Sequence, residues 1–207
     1  MSDDQDITRA LRHLSASDPV LARLIAIYPM FSPRAHSHYF QELASSIISQ
    51  QLSVRAAATI EKRFVELFGG VFPSPEQILT TDADTLRSVG LSRPKAAYIA
   101  DLAHHVQTGQ LQIARLPELS NTEIIRELTA VKGIGEWTAH MFLMFALGRL
   151  DVLPVGDLGV RNAIKIQYGL DQAPTPEECH QVATDNHWHP YQSVAAWYLW
   201  QSLDAAP

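Results

Sequence analysis

Apolar residues recur along the chain at three- and four-residue intervals, and period-two alternation is almost absent. This is the pattern of helices that each bury one face. The polar punctuation agrees. Asp18-Pro19 opens a helix that ends near Pro29, with proline in the first turn where its missing N–H matters least. Ser53 starts a helix over Val54 to Phe68, and Gly69 with Gly70 closes it. Ser74-Pro75 and Asp82 open two short helices, the second ending at Gly90, and Ser92 caps another that runs to Gly109. Ser120 with Glu123, and Thr175 with Glu178, have capping-box spacing. The pattern predicts an all-α protein of about ten or eleven short helices. No tandem repeat occurs, and no linker separates independent domains, so any division is into packed helical lobes.

Composition narrows the chemistry. A single cysteine, Cys179, excludes a disulfide framework and a four-cysteine zinc or iron–sulfur site, and it suits a reducing cytosol. The acidic start MSDDQDITRALRH is unlike a signal peptide. The longest apolar run, Met141 to Leu147, is far short of the roughly 20 residues that span a bilayer. A cytoplasmic protein without membrane association is expected. The histidine pairs His36/His38 and His104/His105, and His187/His189, lack a matching carboxylate or cysteine cluster, so zinc is not expected.

The net charge of −6 argues at first against a polyanionic partner. Its distribution softens that. From Tyr168 onward there are five acids and no Lys or Arg, whereas Thr85 to Lys165 holds nine bases and seven acids, a local +2.

The most informative stretch is Leu128 to Ala139, LTAVKGIGEWTA. One helix reaches about Val131 and another begins near Glu136. Gly133 and Gly135 flank Ile134, which plugs the turn. The bare backbone of this turn and the N–H groups of Glu136, Trp137 and Thr138 can hold a phosphate without basic side chains. An ordinary αα-hairpin with glycine caps has the same local pattern.

Asp157 follows Pro154-Val-Gly and precedes a helical stretch, so locally it reads as an N-cap. A carboxylate there gains from the dipole and from backbone N–H bonds, which favour its charged form. Asp151, six residues earlier, reads as a solvent or hinge residue.

The segment VKGIGEWTA (131–139) resembles the helix-hairpin-helix of the DNA glycosylase superfamily that carries a hairpin, a Gly/Pro-rich loop and an aspartate. SIISQQLSVRAA (46–57) resembles that superfamily's DNA-probing segment, GLSRPKAAYIADLA (90–103) its "GLS..K...I..LA" stretch, and LPVGDLGVR (153–161) its catalytic loop. Pro190 to Trp200 is similar to the last helix of the 3-methyladenine DNA glycosylase II branch, which repairs alkylation damage.

The resemblance implies two helical lobes with an active-site cleft between them. One would cover 38–148 and end in the hairpin. The other would combine 1–37 with 149–207 and carry Asp157 as the catalytic carboxylate, facing Trp137. It implies a base pocket of Trp137, Trp200, Met141 and Trp197, where aromatic faces attract a cationic methylated purine. DNA contacts would come from Lys132, Gly133, Gly135 and Thr138. Gln50, Gln51 and Leu52 would fill the gap left by the flipped base. No cofactor is implied beyond a structural Na or K ion on the main-chain carbonyls of Thr129, Val131 and Ile134. Lyase relatives place a lysine where Trp137 stands, so hydrolysis leaving an abasic site is implied, with no strand cleavage. The expected partner is damaged double-stranded DNA, met by a monomer in a bacterial nucleoid. A different lesion specificity, or a DNA-binding module without catalysis, stays open. Given the short stretch ahead of Gln50, the β-rich N-terminal domain that some members carry is not expected.

Overall fold

The computed structural model describes residues 4–32 and 37–204, and every regular element among them is a helix. No helix among the described residues is long and apolar enough to cross a membrane. Contacts divide the described residues into two units: those up to 32 together with those from His140 onward, and Ser37–Ala139. Residues 140–148, expected with the hairpin lobe, group with the unit that holds both termini of the described chain.

In that first unit, α1 (Asp4–Ser17) precedes α2 (Pro19–Ile27). Asp18 separates them and is buried. One of its oxygens accepts from the Val20 and Leu21 N–H groups at 2.8 and 3.2 Å. The other accepts from the Tyr168 hydroxyl and from Trp188 Nε1. Burial, reinforced by the bonded Asp18 carboxylate, pushes the Tyr168 phenol far above the ordinary tyrosine range. A buried carboxylate with four donors is a costly group made tolerable only by full pairing, so it fixes where α2 meets the later helices.

The second unit contains α3 (Tyr39–Ser49), α4 (Val54–Leu67), α5 (Pro75–Thr80), α6 (Ala83–Ser88), α7 (Arg93–Gln107) and α8 (Asn121–Thr129). A 3₁₀ stretch over Ile113–Glu118 precedes α8. The starts follow the predicted caps. Ser53, Ser92 and Ser120 each accept from the third backbone N–H of their helix, and Ser74 and Ser120 complete capping boxes. Phe64 anchors the core against Phe68 and Phe72. Leu102, Ala103, Ile124 and Leu128 are fully buried in the same unit.

Helix α9 (Glu136–Met141) begins in this unit and runs into a π-helical turn, Phe142–Ala146. Back in the first unit follow α10 (Leu158–Tyr168), α11 (Pro176–Asp185) and α12 (Gln192–Asp204). Thr175 and Glu178 form the capping box read from the sequence. Sequence spacing missed the π turn and α1, because a π turn keeps an apolar helical pattern and α1 opens on acids without a Pro or Gly signal.

Candidate active site and DNA interface

The Asp157 side chain is set by three successive restraints. The first is a grip on the start of its loop. Ser193, fully buried at the beginning of α12, donates from its hydroxyl to Arg149 O at 2.7 Å and accepts from Val152 N at 2.9 Å, while its own N–H reaches Leu150 O. Asp151 adds to the grip, accepting from Gln192 Nε2 at 2.8 Å and pairing with His189 Nδ1 at 2.7 Å. It is therefore an anchor and not the solvent or hinge residue read from the sequence. The second restraint is a pair of tight turns, Val155 N–H to Leu153 O and Asp157 N–H to Pro154 O, both 2.9 Å. The third is the cap itself. Asp157 Oδ1 accepts from Val160 N at 2.8 Å, as the N-cap reading required.

The same Oδ1 accepts a second hydrogen bond, from Trp200 Nε1 at 2.8 Å. Two donors converging on one oxygen fix the carboxylate in rotation. Trp200 in turn stacks on Phe145, with ring centroids 6.1 Å apart and planes inclined by 28°. Phe145 lies in the π turn and is 39% exposed, unlike its buried neighbours Met144 and Ala146. Carboxylate, indole and phenyl ring thus form one contiguous wall in the first unit. Phe145 was not foreseen, because nothing in an apolar run marks the one residue that a π turn directs outward. Met141, also in this unit, is half-buried. Trp197 is half-buried too, and its rings contact Phe31 at 5.5 Å and Tyr198 at 4.9 Å, which is core packing.

The hairpin lies in the second unit. After α8 the chain turns through Gly133, at φ +84, and Ile134, which is 4% exposed and plugs the turn. Gly133 packs against Tyr98, and a Cβ there would sit 2.3 Å from that ring. Gly135 has nothing near it, so its backbone is open. Trp137, the second residue of the next helix, is 50% exposed. Thr138 is buried, so its hydroxyl is withdrawn from solvent and only its backbone N–H remains a candidate for DNA. Lys132 does not project alone. Its N–H donates to Asp101 Oδ2 at 2.9 Å and its ammonium lies 3.3 Å from Asp101 Oδ1. Burial works against the Asp101 charge, but the Lys132 N–H and ammonium, with His105, outweigh it and hold the carboxyl below the ordinary carboxylate range.

The turn between α3 and α4 is tied to the hairpin. Gln50 donates from its amide to Gly133 O at 2.7 Å, so its side chain bridges two loops of the same unit and is not the protruding residue. Lys95, on α7, donates to Ile48 O at 2.7 Å and Gln50 O at 2.6 Å, satisfying carbonyls at the end of α3. Burial pulls its ammonium below the ordinary lysine value. Between these clamps Gln51 adopts φ +57, rare for a side chain without a special reason, and Gln51 and Leu52 are both exposed. A cavity of about 610 Å³ opens here, lined by Gln50, Gln51, Lys95, Tyr98, Gly133 and Gly135 among others. Lys95 and Tyr98 lie in the GLSRPKAAYIADLA stretch, but the sequence assigns them no role, since their partners lie tens of residues away.

Among the described residues no cluster of three or more His, Cys, Asp or Glu could hold a metal ion. His36 lies outside the described residues. The carbonyls of Thr129, Val131 and Ile134 bracket the hairpin turn. Thr129 ends α8, where carbonyls lack intrahelical partners, and Val131 O accepts from Ile134 N–H at 3.1 Å with one lone pair still to use. Neutral oxygens of this kind fit a hard monovalent cation and not a transition metal.

Residues 44–186 match the family model described as HhH-GPD superfamily base excision DNA repair protein. The Bacillus subtilis protein YfjP is 38% identical over 164 residues, which cover 76% of this chain and 56% of that protein, so the chain spans only about half the length of that relative. DNA-3-methyladenine glycosylase 1 of Schizosaccharomyces pombe is 34% identical over 205 residues, covering 97% of this chain and 89% of that one. The solved structure of the 3-methyladenine DNA glycosylase Mag1 of that yeast, in complex with abasic DNA, superposes with a TM-score of 0.82 at 34% identity, over 96% of this chain and 98% of the other. The chain belongs to the HhH-GPD superfamily of base excision DNA repair proteins. Within it, the similarity runs to the 3-methyladenine DNA glycosylases, and the chain is a DNA glycosylase of base excision repair.

Proposed function

We propose that the protein flips alkylated, 3-methyladenine-like bases out of double-stranded DNA and removes them by hydrolysis, leaving an abasic site. The observation that carries this reading is the direct contact of Asp157 with Trp200, itself stacked on Phe145. An N3-alkylated purine is cationic, and an electron-rich aromatic face attracts it. Its loss leaves positive charge on the sugar, which a fixed carboxylate stabilises while water adds to C1′. Lesion selection comes partly from the weakened stacking and pairing of the damaged base. The names and bound DNA of the relatives are consistent with this assignment.

In the same reading the open backbone around Gly133 and Gly135 and the first N–H groups of α9 hold DNA phosphates, contacts that are independent of sequence. Gln51 and Leu52 enter the gap in the stack, and Gln50 braces them. Met141 joins Trp200 in the pocket, with Trp197 as packing, and Trp137 offers DNA a half-exposed aromatic face from the hairpin. Lys132 assists phosphate binding only after exchanging its Asp101 partner. A Na or K ion on the three hairpin carbonyls would stiffen the turn and take no part in the chemistry. The protein acts as a monomer on chromosomal DNA, in a bacterium at the nucleoid.

Hydrolysis without strand cleavage follows from Trp137, which supplies no amine for an imine, and from the engagement of the nearest lysine in sequence, Lys132, with Asp101. The test is chromatography of bases released from methylated duplex DNA. Free 3-methyladenine, with the strand broken only after alkali and no complex trapped by borohydride, is the expected result. Borohydride trapping, or absence of any released alkylated base, would overturn the reading.

A further inference from the structure

Gly159 is the second residue of α10, and its φ lies outside the left-handed region, so the backbone does not require glycine there. Early in a helix, alanine would ordinarily be the better residue. What glycine supplies is space. A Cβ at this position would lie 2.9 Å from Asp157 Oδ1 and 3.1 Å from both Cδ1 and Nε1 of Trp200. These are the atoms of the Asp157–Trp200 hydrogen bond. Neither partner can swing aside cheaply. Asp157 Oδ1 is also held by Val160 N–H, and the indole is backed by Phe145.

We propose that Gly159 is a positioning residue for excision: its missing side chain is the slot in which the Trp200 indole docks on the Asp157 carboxylate. Trp200 then has a second duty besides lining the pocket, since its N–H fixes the rotation of the carboxylate that faces the sugar. This inference rests on the reading of Asp157 as that carboxylate. It follows that base release depends on a position that touches neither base nor phosphate, and that Gly159 and Trp200 act as one unit.

The test combines Gly159→Ala, Trp200→Phe and the double variant. The probes are single-turnover release of bases from methylated duplex DNA, affinity for a duplex with a tetrahydrofuran abasic analogue, melting temperature, and the ¹⁵N–¹H resonances of the tryptophan indoles. Gly159→Ala should lose about 100-fold in release, the scale of loss for an ångström of misplacement, with melting lowered by less than about 10 °C, since overpacking is partly offset by alanine's better helix propensity, and abasic affinity within about threefold, because phosphate contacts lie elsewhere. The Trp200 indole resonance should move in Gly159→Ala. The double variant should release bases no more slowly than the slower single variant, because the two substitutions break the same contact. Multiplicative losses would overturn the proposal, as would wild-type release by Gly159→Ala. An unmoved Trp200 resonance in Gly159→Ala overturns the slot whatever the activity. Should the wild type release no alkylated base while the resonance still moves, the functional reading fails and the catalytic part of the proposal with it, leaving the docking contact alone.

Discussion

The close approach of Gly133 to Tyr98 gives a prediction that can be worked from geometry. Gly133→Ala places a Cβ 2.3 Å from Cδ2 and 2.4 Å from Cγ of the ring. The ring cannot simply rotate away, because Tyr98 Cβ itself would be 2.9 Å from the new atom. The position is also at φ +84, where an L side chain costs about 1–2 kcal/mol. Overpacking adds about 1–3 kcal/mol. The sum, about 2–5 kcal/mol, corresponds to roughly 4–20 °C in melting temperature at this chain length. Gly133 O is the acceptor of Gln50, so a shifted turn also displaces the loop bearing Gln51 and Leu52. Gly135→Ala is the control. It meets nothing within 4 Å and its φ lies outside the left-handed region, so it should melt at or slightly above the wild-type temperature. Scanning calorimetry of both variants checks this. A Gly133→Ala protein melting within about 2 °C of wild type would refute the packing argument, and equal destabilisation by Gly135→Ala would refute the distinction between the two glycines.

The other predictions follow from single contacts. Gly135→Val should fold normally yet weaken binding to all duplex sequences about equally, measured by fluorescence anisotropy, because the lost contact is to phosphate. Lys95→Met removes the donor to Ile48 O and Gln50 O and should slow excision more from fully paired lesions than from mismatched ones, whose flipping needs less help. Asp101→Asn should lower the melting temperature at pH 7. The Asp101 carboxyl is held below its ordinary value of about 3.9, so its contribution is present above that pH and is lost as pH falls through the native value. The melting temperatures of variant and wild type should therefore converge below about pH 4. Trp137→Ala, at a half-exposed position, should leave stability nearly unchanged, reduce excision of cationic purines and introduce no strand cleavage.

Much of the fold was legible because helix ends in this chain are written locally. Ser53, Ser74, Ser92, Ser120, Asp157 and Thr175 each cap the helix they were expected to cap. The hairpin and Asp157 were legible for the same reason, a short motif with its own chemistry. What escaped was set by contacts distant in sequence. Tyr98 decides why Gly133 must be glycine, Trp200 decides why Gly159 must be, and Ser193 turns Asp151 and its neighbours from a loose connector into an anchored one. Phe145 escaped because a π turn changes which side of an apolar run faces out. Sequence position alone suggests DNA contacts for Thr138 and Gln50, whereas burial of the first and the bond from the second to Gly133 O engage their side chains inside the protein.

The central claim is that a rotationally fixed Asp157 carboxylate drives base loss. Asp157→Asn keeps an oxygen to accept from Val160 N–H and Trp200 Nε1 but removes the charge. Single-turnover release from methylated duplex DNA, measured beside binding of the same variant to an abasic duplex, tests this most directly. A fall of at least about 100-fold in release, the scale of one lost electrostatic stabiliser at a developing charge, with binding preserved is the predicted result. Release at the wild-type rate by Asp157→Asn would contradict the account.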